Sequence, residues 1–140
     1  MNVRKTRNDT DFWYCQYDPT IQHLIIDSNG NETGEVVPHY GQAVAAYANI
    51  SPAIGAAQFE SFGNLGSYDK VIVTRDMTCP INENSVLFID KQPEYTTVTT
   101  YDETTGQPVT YQLPKYDYLV KKVAKGLDAI SIAVTKVSIG

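Results

Sequence analysis

The sequence predicts an all-β fold: a small single-domain β-barrel with a long loop between strands and an extended β-hairpin arm. Ten tyrosines accompany a single tryptophan, and ring and β-branched side chains fit a half-buried pleated surface. Short apolar runs alternate with turn residues along the chain. The 140 residues, 42% hydrophobic and 19% charged, suit one ordered domain over residues 1–140, with residues 1–11 as a mobile arm.

Ten strands are predicted, and most are bounded by Gly, Pro, Asn or Asp. In chain order they cover residues 12–17, 21–27, 34–40, 42–50, 68–75, 85–90, 95–101, 109–113, 116–125 and 129–139.

Turn residues place the first reversals. Asp18-Pro19 favours a turn after the first strand, and Asn29-Gly30 supplies the positive φ of a tight hairpin. Pro38 cannot donate to a ladder, so the third strand lies at a sheet edge or contains a break.

Two segments are compatible with either a helix or a strand. Residues 42–50 are rich in alanine, but alternation puts Val44, Ala46 and Ala48 on one face, which favours a strand. Residues 116–125 also satisfy a helical spacing. The Gly-containing turn and the strongly alternating strand after them favour a terminal hairpin.

Residues 51–67 break every period, and a loop of this length inside a compact domain is usually functional or disordered. Apolar residues are scattered through it, which predicts that it docks on its own barrel or on a partner. The candidates for protein contact or for a channel loop are Ser51, Pro52, Ile54, Phe59, Phe62 and Leu65.

The next strands alternate more cleanly. In 68–75, Val71 and Val73 share one face, and Ile72 lies on the other. Residues 95–113 form a long exposed hairpin around DETTGQP. Because two strands alone are marginal in water, this arm is expected to lean on a neighbour. Its contact candidates are Tyr95, Tyr101 and Tyr111.

Charge and hydropathy exclude several classes of protein. The net charge of −5 argues against a surface that grips nucleic acid throughout. Residues 115–140 carry five Lys and two Asp, so the charge is uneven, which fits either a stacking subunit or an uneven solvated surface. The amino terminus lacks the apolar region of a secretory signal, and no window predicts a membrane span.

No pattern of catalytic, metal-binding or cofactor-binding residues is found, so we expect no enzyme activity, metal or cofactor. His23 and His39 lack a nearby ligand cluster, and His23 alternates with apolar neighbours as a partly buried strand residue. Cys15 and Cys79 are expected to be buried thiols. The tyrosines at 14, 17, 116 and 118 are read as core or interface residues in preference to a ligand platform.

Several runs, in order along the chain, resemble the head-tail joining or head closure proteins of tailed bacteriophages. They are Ala48-Asn49-Ile50-Ser51-Pro52-Ala53 with Gly55, Phe62-Gly63, Tyr68 to Thr74, Cys79-Pro80-Ile81, Ser85-Val86-Leu87 with Asp90, Tyr116 to Val123, and Ile130 to Val137. Together they cover about two thirds of the chain. The predicted hairpin of residues 95–113 and the break at Pro38 depart from the compact pattern of this family.

The resemblance implies a structural protein of the virion neck, made in the host bacterial cytoplasm. It implies a homo-oligomeric ring of sixfold or twelvefold symmetry, sixfold favoured, that closes the DNA channel. Its partners would be the portal, connector or adaptor ring and the tail terminator or other tail proteins. DNA would be passing cargo only, and no membrane is involved.

Three alternatives remain open. A tail terminator or another neck or tail protein could share a β-rich, acidic sequence of this length. A tyrosine-rich β module that binds carbohydrates or peptides is a second class, and a small enzyme is a third.

Overall fold

The computed structural model describes residues 9–52 and 68–137, and the regular elements in these ranges are strands. In chain order they are β1 (Thr10–Cys15), β2 (Tyr17–Ile26), β3 (Glu32–Tyr40), β4 (Val44–Pro52), β5 (Lys70–Thr74), β6 (Val86–Phe88), β7 (Tyr95–Tyr101), β8 (Pro108–Pro114), β9 (Tyr118–Lys125) and β10 (Ile130–Lys136). The prediction of an all-β barrel is confirmed. The described residues include no helix long and apolar enough to cross a membrane.

Six strands form a closed barrel in the order β1-β4-β5-β10-β9-β6, and every pairing is antiparallel. The shortest strand, β6, completes it. Residues Val86 to Phe88 pair with β1, and Val86 and Leu87 also pair with β9. Because the barrel closes on itself, each of its six strands has a ladder partner on both sides.

The barrel interior is one apolar cluster, because alternate residues of each strand point inward. Ile72, Leu87, Ile132 and Val134 are fully buried there. On β5, Ile72 faces the interior, whereas Val71 and Val73 belong to a separate outer cluster with Tyr68 and Ala133. The predicted alternation of this strand is therefore correct.

The outer face of β1 and β6 is also covered. Cys15, Val86 and Phe88 are almost completely buried on this face. Four half-buried residues pack against them. They are Trp13 of β1, Tyr40 of β3, Ala43 before β4 and Tyr116 before β9.

The other four strands form two hairpins, β2–β3 and β7–β8, outside the barrel. We call this pair of hairpins the arm. The first turns at Gly30, with φ of 85°, and the second at Gly106, with φ of 71°. In each turn an aspartate precedes the glycine and accepts main-chain hydrogen bonds, Asp27 from Asn31 and Asp102 from Thr104. The reversals predicted at Asn29-Gly30 and in the segment DETTGQP are thus present.

One detail of the predicted strands is wrong. Asp18-Pro19 does not end the first strand, because β1 stops at Cys15 and β2 begins at Tyr17. The dipeptide lies inside β2, where the register shifts between Asp18 and Gln22.

The predicted alternation of β4 is correct. Val44, Ala46 and Ala48 share one face, since the register with Tyr14, Phe12 and Thr10 of β1 is unbroken. Val44 is nevertheless 45% exposed, because it is the first residue of the strand.

Candidate interaction surfaces

The two hairpins of the arm are joined by the buried hydroxyl of Thr100. It accepts a hydrogen bond from the Ile26 amide at 2.7 Å and donates to the Leu24 carbonyl at 3.1 Å. Thr100 is only 5% exposed. Its side chain therefore satisfies two main-chain groups of β2 that would otherwise need a strand or water.

A second contact between the hairpins is formed by two histidines and a tyrosine. The Nε2 atom of His23 lies 3.1 Å from Nδ1 of His39, and the His23 ring stacks on Tyr111 with centroids 3.6 Å apart. Burial, followed by the neighbouring His39, lowers the pKa of His23. One ring must donate and the other accept, so this contact requires at least one neutral imidazole.

Two of the predicted contact tyrosines, Tyr95 and Tyr111, make contacts within the chain. Tyr111 packs on His23. The Tyr95 hydroxyl accepts a hydrogen bond from the Ala43 amide at 3.1 Å, and the Tyr95 ring lies near Phe88 of the barrel. Tyr101 is half-buried at the end of β7. The neighbour on which the β7–β8 hairpin leans is β2–β3 of the same chain.

The arm leaves apolar side chains exposed. Leu24 and Val36 pair across β2–β3, on the face opposite His23 and Val37, and are 39% and 48% exposed. Ile21 is 40% exposed on the same strand. In the described residues, each of the four arm strands pairs with a single other strand. The arm thus combines exposed apolar side chains with strand edges that no ladder covers.

The loop predicted over residues 51–67 begins at one end of the barrel, where β4 ends and β5 begins. Ser51 pairs with Val71 and Pro52 with Lys70, so both are strand residues, Ser51 half-buried and Pro52 exposed. The other candidates of this loop, Ile54, Phe59, Phe62 and Leu65, lie outside the described residues. We call this end of the barrel the loop-bearing end.

A cluster of charges surrounds Asp90 at the loop-bearing end. Its carboxylate lies 2.9 Å from Lys70 Nζ and 3.4 Å from Lys136 Nζ, and it accepts a hydrogen bond from the Tyr118 hydroxyl at 2.9 Å. Burial opposes ionisation, but the hydrogen bonds from Lys70, Tyr118 and Lys136 lower the pKa of Asp90 overall. The sequence did not identify this cluster, since its members lie far apart in the chain.

The buried Asp117 fixes the same end. Its two carboxylate oxygens accept from the amides of Ile89 and Asp90 at 2.9 and 2.8 Å. Asp69 likewise accepts from the amide of Lys136 and from the hydroxyl of Thr135. These contacts hold the chain where it leaves β6, enters β9 and leaves β10.

The described residues show no arrangement suited to catalysis by a metal. No group of three His, Cys, Asp or Glu side chains in residues 9–52 and 68–137 could hold an ion. Cys15 and Cys79 are free thiols, and burial raises the pKa of Cys15 to about 11. Such a thiol is a poor nucleophile because the thiolate is the reactive form.

The four tyrosines weighed as a ligand platform lie in different surroundings. Tyr118 is 2% exposed and belongs to the barrel core, whereas Tyr116 packs in the outer cluster of β1 and β6. Tyr17 packs on Tyr40, with ring centroids 5.5 Å apart, and Tyr40 belongs to the same outer cluster as Tyr116. Tyr14 packs against the barrel core, so the four tyrosines form no single stacking surface.

Comparison with known proteins adds no relative. No protein-family model, curated protein or solved structure matches the chain. The fold defines it as a small all-β barrel protein.

Proposed function

We propose that this chain is a structural protein of a tailed-phage neck, a head closure subunit. Copies of it would form a ring between the portal or connector and the tail. The ring would close the DNA channel and provide the platform to which the tail attaches. Its place would be the virion, after synthesis in the host cytoplasm.

The arm carries this proposal. Each barrel strand has ladder partners on both sides, whereas the arm holds four strands with a single ladder partner each and the exposed pair Leu24 and Val36. Subunits of a ring complete their burial against neighbouring copies through such self-complementary or head-to-tail surfaces. The resemblance of residues 48–55, 68–74 and 116–123 to head closure proteins supports the same class.

The loop-bearing end would face the channel or the adjacent ring. The ion pairs of Asp90 with Lys70 and Lys136 hold the strand ends from which residues 53–67 depart. A net charge of −5 would also limit adhesion of the passing DNA, since phosphate binding needs a dense basic surface.

The position is tested by cryo-electron microscopy of the neck of virions from the phage that encodes the chain. We expect a ring of barrels below the portal or connector, with the arm of each subunit touching the next. Density at the tail-proximal end of the neck would indicate a tail terminator instead. Absence of the chain from mature virions would refute the proposal.

The role of the arm is tested by placing charges on its apolar surface. Leu24→Lys with Val36→Lys should abolish incorporation into virions, because a charge buried at an interface is costly. Thr97→Lys with Thr99→Lys, on the outer face of β7, is the matched control. Circular dichroism should show both variants folded. Equal incorporation of the two would contradict a ring built through this surface.

A further inference from the structure

The barrel wall has an opening where β5 is shorter than β4. The ladder between them joins Asn49–Pro52 to Val73–Lys70, so the first half of β4 extends past the end of β5. After Thr74 the chain turns away at Asp76, whose carboxylate accepts from the amide and the hydroxyl of Thr78 at 3.0 and 2.5 Å. The segment that follows leads to Cys79 and forms the far side of the opening.

A pocket of about 250 Å³ occupies this opening and reaches the barrel interior. Ala46 and Ala48 leave the space, since the other strands place larger side chains at interior positions. The half-buried Tyr14 lines it beside the almost fully buried Phe12, and Asp76 and Cys79 lie at the rim. The pocket lies at the end of the barrel opposite the loop-bearing end.

The volume and the mixed polar and apolar lining select a flat ring that carries a polar edge. An apolar cavity of about 150 Å³ is sufficient to bind benzene, so about 250 Å³ accommodates a fused pair of rings. Pockets for drug-sized ligands start at about 300 Å³, which argues against a larger molecule. The half-buried ring of Tyr14 in the lining favours an aromatic occupant, because rings pair well in stacked or edge-on contact.

The rim selects a hydrogen-bond donor. Hydrogen bonds from Thr78 lower the pKa of Asp76, so its carboxylate is ionised at neutral pH. Burial raises the pKa of Tyr14, which keeps its hydroxyl protonated. An ionised carboxylate accepts a hydrogen bond from an N–H group more strongly than a neutral oxygen does.

We propose that this pocket binds a single aromatic ring system bearing an N–H donor, of which indole is the model. The ring lies against Tyr14 and Ala46, and its N–H group points to Asp76. The source is either the tryptophan side chain of a partner protein or a free indole compound. This inference is independent of the neck function, since it concerns the opposite end of the barrel from the loop.

Alkylation of Cys79 at alkaline pH provides the readout. Cys79 is half-buried at the rim, whereas Cys15 is completely buried. Indole should slow the alkylation of Cys79 in a saturable manner and leave Cys15 unmodified. Reaction at Cys15 would reveal unfolding, so each measurement contains its own control.

Two variants and one matched ligand test the contacts. Ala46→Leu fills the pocket and should raise the dissociation constant of indole at least about tenfold, since no room remains for the ring. Thr99→Leu places the same side chain on the exposed arm and should leave binding unchanged. Asp76→Asn should weaken indole about tenfold and leave N-methylindole, which lacks the donor, unaffected.

The source is resolved by comparing indole with an extended peptide that contains one tryptophan. Tighter binding of the peptide than of indole assigns a partner's side chain, and binding of indole alone assigns a free compound. The proposal is overturned if indole gives no saturable protection of Cys79, or if Ala46→Leu binds it as the native chain does. It is also overturned if indole binds only after residues 1–8 are removed, because the chain's own segment would then be the occupant.

Discussion

Single polar side chains replace missing ladder partners at several points of this fold. Thr100 bridges the amide of Ile26 and the carbonyl of Leu24, and Asp117 accepts the amides of Ile89 and Asp90. Both are buried. Because a buried main-chain group without a partner is costly, these residues determine where the hairpins and strand ends dock.

Replacing the hydroxyl of Thr100 should loosen the arm. Thr100→Val keeps the shape but leaves two main-chain groups of β2 unsatisfied, so we expect a loss of about 1–3 kcal/mol in unfolding free energy. Thr100→Ser, which keeps the hydroxyl, should lose less. Urea denaturation gives the free energies, and hydrogen exchange at the Ile26 amide reports the arm. Thr99→Val, on the exposed face of β7, is the control, and an equal loss in it would contradict this role.

The contact between His23 and His39 should make stability depend on pH. The pKa of His23 is lowered in the folded protein, so the unfolded chain takes up the proton more readily. Unfolding free energy should therefore fall as the pH drops below about 6.5, the ordinary value for histidine. Asp18, on the strand beside His39, has a lowered pKa and remains ionised throughout this range.

Denaturation measured at pH values above and below about 6.5 gives the size of this effect. His23→Gln should flatten the dependence, since the amide does not titrate. The carboxylates of Asp69 and Asp90 have lowered pKa values, so they stay ionised at the pH where histidine titrates. They therefore do not contribute to this pH dependence. An unchanged pH profile in the variant would exclude the histidine pair as the cause.

At the residue scale, the sequence predicted the state of His23 but not its partner. Alternation places His23 on a partly buried face, as found. Its contact with His39 depends on the irregular register of β2–β3, which shifts between Asp18 and Gln22. A shift of this kind changes which side chains meet, and no local pattern encodes it.

Among the elements, β2–β3 depends most clearly on its turn. Gly30 has φ of 85°, and an added Cβ there would meet nothing within 4 Å. The cost of Gly30→Ala is therefore conformational, about 1–2 kcal/mol. Gly30→Asn should cost less because asparagine tolerates this conformation. Thermal or urea unfolding compares the two, and equal losses would show that backbone conformation is not the cause.

The elements with regular alternation were the most predictable. The strands β5 and β10 were predicted correctly from the alternation of their apolar residues. The segment 116–125, which was also compatible with a helix, contains strand β9, Tyr118–Lys125. The sequence did not predict that β1 ends before Gln16 and β2 begins after it. There the carbonyl of Gln16 accepts from Gly41, and its side chain donates to Pro80 and accepts from Ser85. These contacts come from distant parts of the chain, so the sequence around Gln16 does not show that a strand ends.

For the whole molecule, stability rests on the closure of the barrel through β6. Leu87 is completely buried in the main core, while Leu119, on the neighbouring strand β9, is 39% exposed. Leu87→Ala should cost about 2–5 kcal/mol and Leu119→Ala much less. Chemical denaturation of both variants tests this. Similar losses in the two variants would show that burial of Leu87 between β1 and β9 does not determine the stability of the barrel.

The barrel class followed from composition and pattern, but its strand order did not. β1 pairs with β6 across more than seventy residues, and only packing in three dimensions selects such a partner. The intramolecular docking of the arm was missed for the same reason, since Thr100 and His23 are far apart in sequence. The assembly role of Leu24 and Val36 stays a prediction.

The strand order also bears on synthesis at the ribosome. β10 and β9 are the last strands in chain order, yet they lie between β5 and β6. Until they emerge, the nascent sheet in the order β6-β1-β4-β5 keeps its two outer strands, β6 and β5, unpaired on one side, a state prone to intermolecular association. The local hairpins can form within microseconds. The arm should therefore fold before the barrel closes and cover part of the incomplete sheet.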